Sequence, residues 1–205
     1  WTILEAIAGK KDSRGNGRRG LNGNLQRREE IMRMSALLIL LALVCTGCPA
    51  TLKPETMTAQ VTAPIHKSAS EIAVAVFGAT DISAKKPVHI ADEDFTQALV
   101  SSIETSGLFR TVLRDTPGKY QLQAMFVQLD EQIFGLDMTA SMEINYMLAS
   151  TTPKKALWEK KIVSSFTAGM SDSVIAITRL QLATEGAARR NIEQAILEIS
   201  KLQLE

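Results

Sequence analysis

The 205-residue chain holds only two cysteines and two histidines. That is too few for a zinc finger or a multi-histidine metal centre, and two cysteines cannot staple a disulfide scaffold. No phosphate-cradling glycine-rich loop, His-x-x-x-His pair or Gly-x-Ser-x-Gly elbow occurs. No apolar run approaches the ~20 residues a membrane-spanning helix needs. Net charge is also nearly absent, with 23 basic against 22 acidic side chains.

That balance is an average of two unlike parts. Residues 1–47 carry eight basic and four acidic groups, a net of +4, which leaves 15 basic and 18 acidic groups, a net of −3, for residues 48–205. The basic excess therefore belongs to the leader, and the rest of the chain has no electrostatic preference for nucleic acid. Residues 8–30 are rich in Gly, Arg, Lys and Asn with almost no apolar periodicity. Residues 1–31 are therefore expected to be an over-extended, disordered reading frame. A peptide from residues 15–30 in the expressed protein would contradict this.

A secretory signal is expected over residues 32–47. Arg33 precedes the nine-residue apolar run Ala36–Val44, too short to span a bilayer but suited to a signal core. Cys45-Thr46-Gly47-Cys48 follows. It resembles the lipobox of bacterial lipoproteins, with Cys45 standing where that family usually has Leu. The resemblance implies cleavage after Gly47 and lipidation of Cys48. Bacterial lipoproteins generally carry three acyl chains, and burying each CH₂ is worth about 0.8 kcal/mol, so stable anchoring is implied. In such lipoproteins Asp after the cysteine favours inner-membrane retention, so the resemblance, with Pro49 at that position, implies outer-membrane sorting. Residues 48–70, with Thr, Pro, Ala, Lys and Ser and little apolar pattern, read as a flexible tether with His66 solvated.

A single α+β domain is expected over residues 71–205. Ile72–Phe77 is an apolar, β-branched run ended by Gly78, as in a buried strand. Asp92 is placed to cap a helix, with Glu93 and Asp94 complementing its dipole. Phe95, Ala98, Leu99 and Ile103 form the buried face of that helix, and Ser106-Gly107 ends it. Thr111–Leu113 reads as a short strand. Three longer strands follow, with alternation centred on Tyr120–Phe126, Met138–Leu148 and Trp158–Phe166. Asp172–Gln203 reads as helix, with Ile192, Ala195, Ile196, Ile199 and Leu202 in one stripe. Gly186 inside it marks either a kink or a close contact, and a break near Thr184–Ala188 is an option. The expected architecture is a two-layer sandwich, a mostly antiparallel four- to five-stranded sheet with two helices on one face.

This element order, with Ser106-Gly107-Leu108-Phe109 closing a helix, Tyr120-Gln121-Leu122 opening a strand, the Trp158 strand and the long C-terminal helix, resembles a group of small bacterial envelope lipoproteins. The group includes the ABC-transporter auxiliary lipoproteins and the lipopolysaccharide-assembly lipoprotein. The N-terminal domain of the Tol-Pal translocation protein has a similar layout. The resemblance implies a domain facing the periplasm and a protein partner in envelope assembly or transport.

Residues able to carry chemistry are few. Ser83 and Asp92 lie near His89 in sequence, which permits a Ser–His–Asp site, although a plain loop histidine is simpler. Asp92, Glu93 and Asp94 are better explained by helix capping than by metal binding. The hairpin tip 130–137 sets apolar Ile133, Phe134 and Leu136 between acids, more than solubility requires, and these three are the candidate partner or lipid contact. Packing over the sheet edge is the simpler alternative. Lys154, Lys155, Lys160 and Lys161 suit a solvated, aggregation-blocking edge or a phosphate-headgroup contact. Arg189 and Arg190 read as the outer helix face. The expected function is a non-catalytic, lipid-anchored interaction module of the cell envelope, without metal, cofactor or nucleic acid. A lipid- or glycan-binding lipoprotein is the alternative, and an envelope hydrolase a weaker one.

Overall fold

The computed structural model describes residues 50–62, 66–114, 116–134 and 136–204. The expectations for residues 1–31, the signal 32–47, Gly47 and Cys48 lie outside the described residues. In chain order the elements are β1 (Ala50–Thr51), α1 (Pro54–Met57), β2 (Ser68–Phe77), α2 (Ala79–Ser83), β3 (Val88–His89), α3 (Asp92–Ser106), β4 (Phe109–Leu113), β5 (Tyr120–Phe134), β6 (Asp137–Thr151), β7 (Lys154–Ala168) and α4 (Ala176–Ser200). The fold is α+β.

Five strands form the main sheet in the order β4-β2-β5-β6-β7. β2 runs parallel to both β4 and β5, whereas β5–β6 and β6–β7 are antiparallel and form the longest ladders. Period-two patterning places the core. Tyr120, Leu122, Ala124 and Phe126 of β5 and Met138, Ala140, Met142, Ile144, Tyr146 and Leu148 of β6 are all buried on the face that meets the helices. In β5 the register shifts between Phe126 and Gln128. This bulge switches the inward parity, so that Leu129 rather than Gln128 is buried.

α3 buries Phe95, Ala98, Leu99 and Ile103, and Phe95 meets Phe126 edge to face at 4.7 Å. Gly107 ends the helix at φ +66°, a left-handed position that suits glycine. Asp92 does not cap this helix, whose N-cap is Ala91 without a side-chain bond. Its carboxylate instead accepts from the backbone N–H groups of Gly78 (3.3 Å) and Thr80 (3.0 Å), fixing the turn after β2.

α4 runs unbroken from Ala176 to Ser200. Gly186 marks a close approach rather than a kink: a Cβ there would sit 2.3 Å from Phe166 Cγ. The helix backbone thus lies directly on the Phe166 ring.

The tether expected over residues 48–70 is corrected for its first part. Ala50 and Thr51 pair in parallel with Val88 and His89. Leu52, Met57 and Ala59 are buried in the same core as the sheet and helices. Ala59 N–H donates to Ser102 Oγ (2.8 Å), and Arg189 donates to the Thr56 carbonyl. This segment lies over the helix layer. Burying side chains the size of Leu52 and Met57 is worth about 1.5–3 kcal/mol each, enough to outweigh the extended, proline-bearing composition that suggested a loose linker. The domain therefore begins at about residue 50 rather than 71.

Candidate functional site

β5 runs nine residues past Met125, the partner of the last β2 residue, Phe77. At about 3.3 Å per residue, the β5–β6 hairpin extends roughly 30 Å past the end of β2. β6 and β7 remain paired to Met138 and Ala168, so these three strands share one projecting end. Ile133 is 69% and Leu136 63% exposed there. Phe134 closes β5 opposite Asp137, and its side chain lies outside the described residues.

The loop from β7 to α4 abuts this tip, since a Cβ on Gly169 would lie 3.1 Å from Asp137 Oδ1. The loop and the first turn of α4 add exposed Met170, Val174, Ile175 and Ile177. Val174 is 78% exposed. Sequence reasoning missed these four, because an apolar residue at the start of a helical stretch looks like part of a buried stripe.

Beneath the tip, Glu131 has one carboxylate oxygen buried without a hydrogen-bond partner among the described residues. Burial pushes its carboxyl above the usual carboxylate range, and nearby Lys86 partly offsets this. The Lys86 charge acting on Glu131 places the connection between α2 and β3 near the upper part of β5.

The Ser83–His89 pair does come together, with Ser83 Oγ 3.2 Å from His89 Nδ1. The Ser83 side chain is buried, however, and its hydroxyl bonds the Ala79 carbonyl (2.7 Å) and both backbone groups of Ile90. Asp92 has both carboxylate oxygens engaged by Gly78 and Thr80. The cluster thus folds the α2–β3 connection and provides no Asp–His–Ser relay. Among the described residues, no three His, Cys, Asp or Glu side chains gather in a metal-binding arrangement, and no helix is long and apolar enough to cross a membrane.

Of the other charged candidates, Lys154 and Lys155 are exposed at the start of β7, whereas Lys160, Lys161, Arg189 and Arg190 have partners. Lys160 pairs with Glu198 (2.9 Å) and Lys161 with Glu143 (2.6 Å). Hydrogen bonds from Lys201 and Lys160 hold the Glu198 carboxyl below its usual range. Arg190 stacks on Phe166 at 4.8 Å and donates to the Ser165 carbonyl, while Arg189 reaches the N-terminal segment. The expectation that both arginines simply face solvent is corrected: Arg189 is half-buried, and Arg190, though exposed, lies against β7.

A buried polar network joins α4 to the sheet. Tyr146 OH donates to Asn191 Oδ1 (3.0 Å), and Asn191 Nδ2 lies within bonding distance of Ser164 Oγ and the Met142 and Ile162 carbonyls. Ser164 Oγ–H donates to the Ala187 carbonyl (2.8 Å). Burial pushes the Tyr146 phenol well above its ordinary value. At the opposite end of the sheet, a cavity of about 370 Å³ lies between His66–Ser68, Leu108 and Leu202–Leu204.

No protein-family model matches this chain, and no curated protein does. Solved structures do match. A Xanthomonas campestris protein of family DUF330 superposes with a TM-score of 0.59 at 13% identity, over 74% of this chain and 95% of that one. A minor lipoprotein from Acinetobacter baumannii superposes more loosely, with a TM-score of 0.41 at 7% identity, over 64% of this chain and 92% of that one. The first likeness carries the fold alone. The resemblance to transport and assembly lipoproteins rests on the sequence pattern.

Proposed function

We propose that this chain is a lipid-anchored envelope protein that works by presenting surfaces to partners rather than by catalysis. The observation that carries the reading is the sequence around Cys48: a positive flank, a short apolar run, small residues and a cysteine in lipobox order. With Cys48 acylated, folding from Ala50 onward would hold the domain at the bilayer in a restricted orientation. A periplasm-facing position at the outer membrane and a protein partner in envelope assembly or transport belong to the same proposal. The exposed sheet face opposite the helices, with Phe77 and Met125 adjacent and Val163 two strands away, suits that partner.

Membrane fractionation tests the anchor. Cys48→Ser should move the protein to the soluble fraction, and continued retention would refute lipidation there. A second reading, a lipid- or glycan-binding lipoprotein, is favoured by the cavity beside His66 and Lys67. Native mass spectrometry showing a retained ligand that disappears with Leu202→Trp would support it.

A further inference from the structure

We infer that the end of the domain built from the β5–β6 hairpin and the β7–α4 loop is a bilayer-docking surface, whose exposed apolar side chains enter the interface of the membrane that holds the anchor. This rests on the reading of Cys48 as acylated. Six large apolar residues, Ile133, Leu136, Met170, Val174, Ile175 and Ile177, are each at least 42% exposed at this one end. Scattered exposed apolar residues need no explanation, but a cluster contributed by three separate segments does.

The anchor is what selects a bilayer as the occupant. Only Pro49 separates Cys48 from Ala50 in sequence, so an anchor at Cys48 is tethered to the first paired residue by a single intervening residue. Ala50 pairs with Val88. Val88 is two residues from Lys86, whose charge lies near enough to act on Glu131, and Glu131 is two residues from Ile133 along β5. The chain thus enters the domain beside the end that carries the apolar cluster. Acyl chains leaving Cys48 bring that end to the membrane surface. There the cluster lowers the free energy of the bound state by burying apolar area. It also gives one lipid-anchored residue a defined orientation to impose on the whole domain. The uncovered sheet face then stands away from the bilayer.

The rim bears on which bilayer. At this end Asp130, Glu131, Asp137 and Asp172 stand against Lys85, Lys86 and the buried Arg179, whose guanidinium donates to the Ser173 carbonyl. This acidic excess opposes close approach to an anionic surface within a Debye length. Docking should therefore be stronger on phosphatidylethanolamine-rich than on phosphatidylglycerol-rich membranes.

The test places the photo-crosslinking amino acid benzoylphenylalanine at Val174 of the full chain, expressed in a Gram-negative host, with Val163 on the open sheet face as control. Acylation of Cys48 is read in parallel by incorporation of labelled palmitate. Phospholipid adducts at position 174 about fivefold or more above those at 163 are expected, as is a drop of about threefold when the acylated protein is moved into phosphatidylglycerol-rich vesicles. With the crosslinker at Ile133 instead, Val174→Asp together with Ile175→Asp should reduce the lipid adduct, with secretion and thermal midpoint unchanged. An acylated protein that gives no adduct, or protein adducts, at position 174 overturns the docking inference and leaves the anchor standing. A protein without palmitate overturns both.

Discussion

Replacing Asn191 by Ala removes the central member of the buried network between α4, β6 and β7. Asn191 and Tyr146 are both fully buried, so water cannot take over the lost bond. The Tyr146 hydroxyl is left without an acceptor, at a cost of about 1–3 kcal/mol. Loss of the carboxamide volume adds about 1 kcal/mol if the site does not collapse. The expected total is roughly 3 kcal/mol, or a fall in thermal midpoint of roughly 6–12 °C for a domain of this size. Tyr146→Phe alone should cost only about 1 kcal/mol, because it leaves an amide oxygen rather than a hydroxyl unpaired. The double variant contains no orphaned hydroxyl and should fall short of the sum by about 1–2 kcal/mol. Urea denaturation of the unacylated Cys48→Ser chain and its variants measures all three. Additive costs, or a neutral Asn191→Ala, would refute the network as drawn.

Met57→Ala should lower stability by about 2–4 kcal/mol in the same assay if residues 50–59 belong to the core; an unchanged midpoint would restore the tether. Gly186→Ala gains about 1 kcal/mol of helix propensity but drives a methyl into Phe166, at a cost of about 1–3 kcal/mol. A net loss of stability is expected, and a rise in midpoint would contradict the close contact. Glu131 titrates in the folded state above its ordinary 4.5. The folded state therefore holds more protons than the unfolded state between those two values, and stability falls as pH rises through that window. Glu131→Gln should accordingly stabilise the protein at pH 7, with the gain shrinking as pH falls toward 4. A gain independent of pH would show that the carboxyl is not desolvated.

Much of the fold was legible because its strongest signals are local. The alternation from Met138 to Leu148 reports a strand with one face on the helices, and all six of its apolar residues are buried. Gly107 was readable as a helix end from the pattern around it. The parts that were not legible depend on long-range packing. Nothing near Leu52 and Met57 shows a period of two or 3.6, since this segment packs on distant parts of the chain, as the bond from Ala59 to Ser102 shows. The β5 bulge reverses parity at a point where the sequence shows only Gln128 and Asp130 on a new face. Asp92 sits at a helix start as expected, yet its carboxylate is drawn to the turn after β2. At the candidate site, Ile133 and Leu136 stood out because they interrupt acids. Val174, Ile175 and Ile177 did not, because an apolar stretch entering a helix looks the same whether a sheet or a membrane covers it.

We propose that Cys48 anchors a domain that starts almost immediately after it. Mass spectrometry of the N-terminal peptide from membrane-extracted protein tests this most directly. The expected peptide begins at Cys48 and carries a thioether-linked diacylglyceryl group. A peptide that spans the intact Gly47–Cys48 bond, or one that begins at an unmodified Cys48, would contradict it.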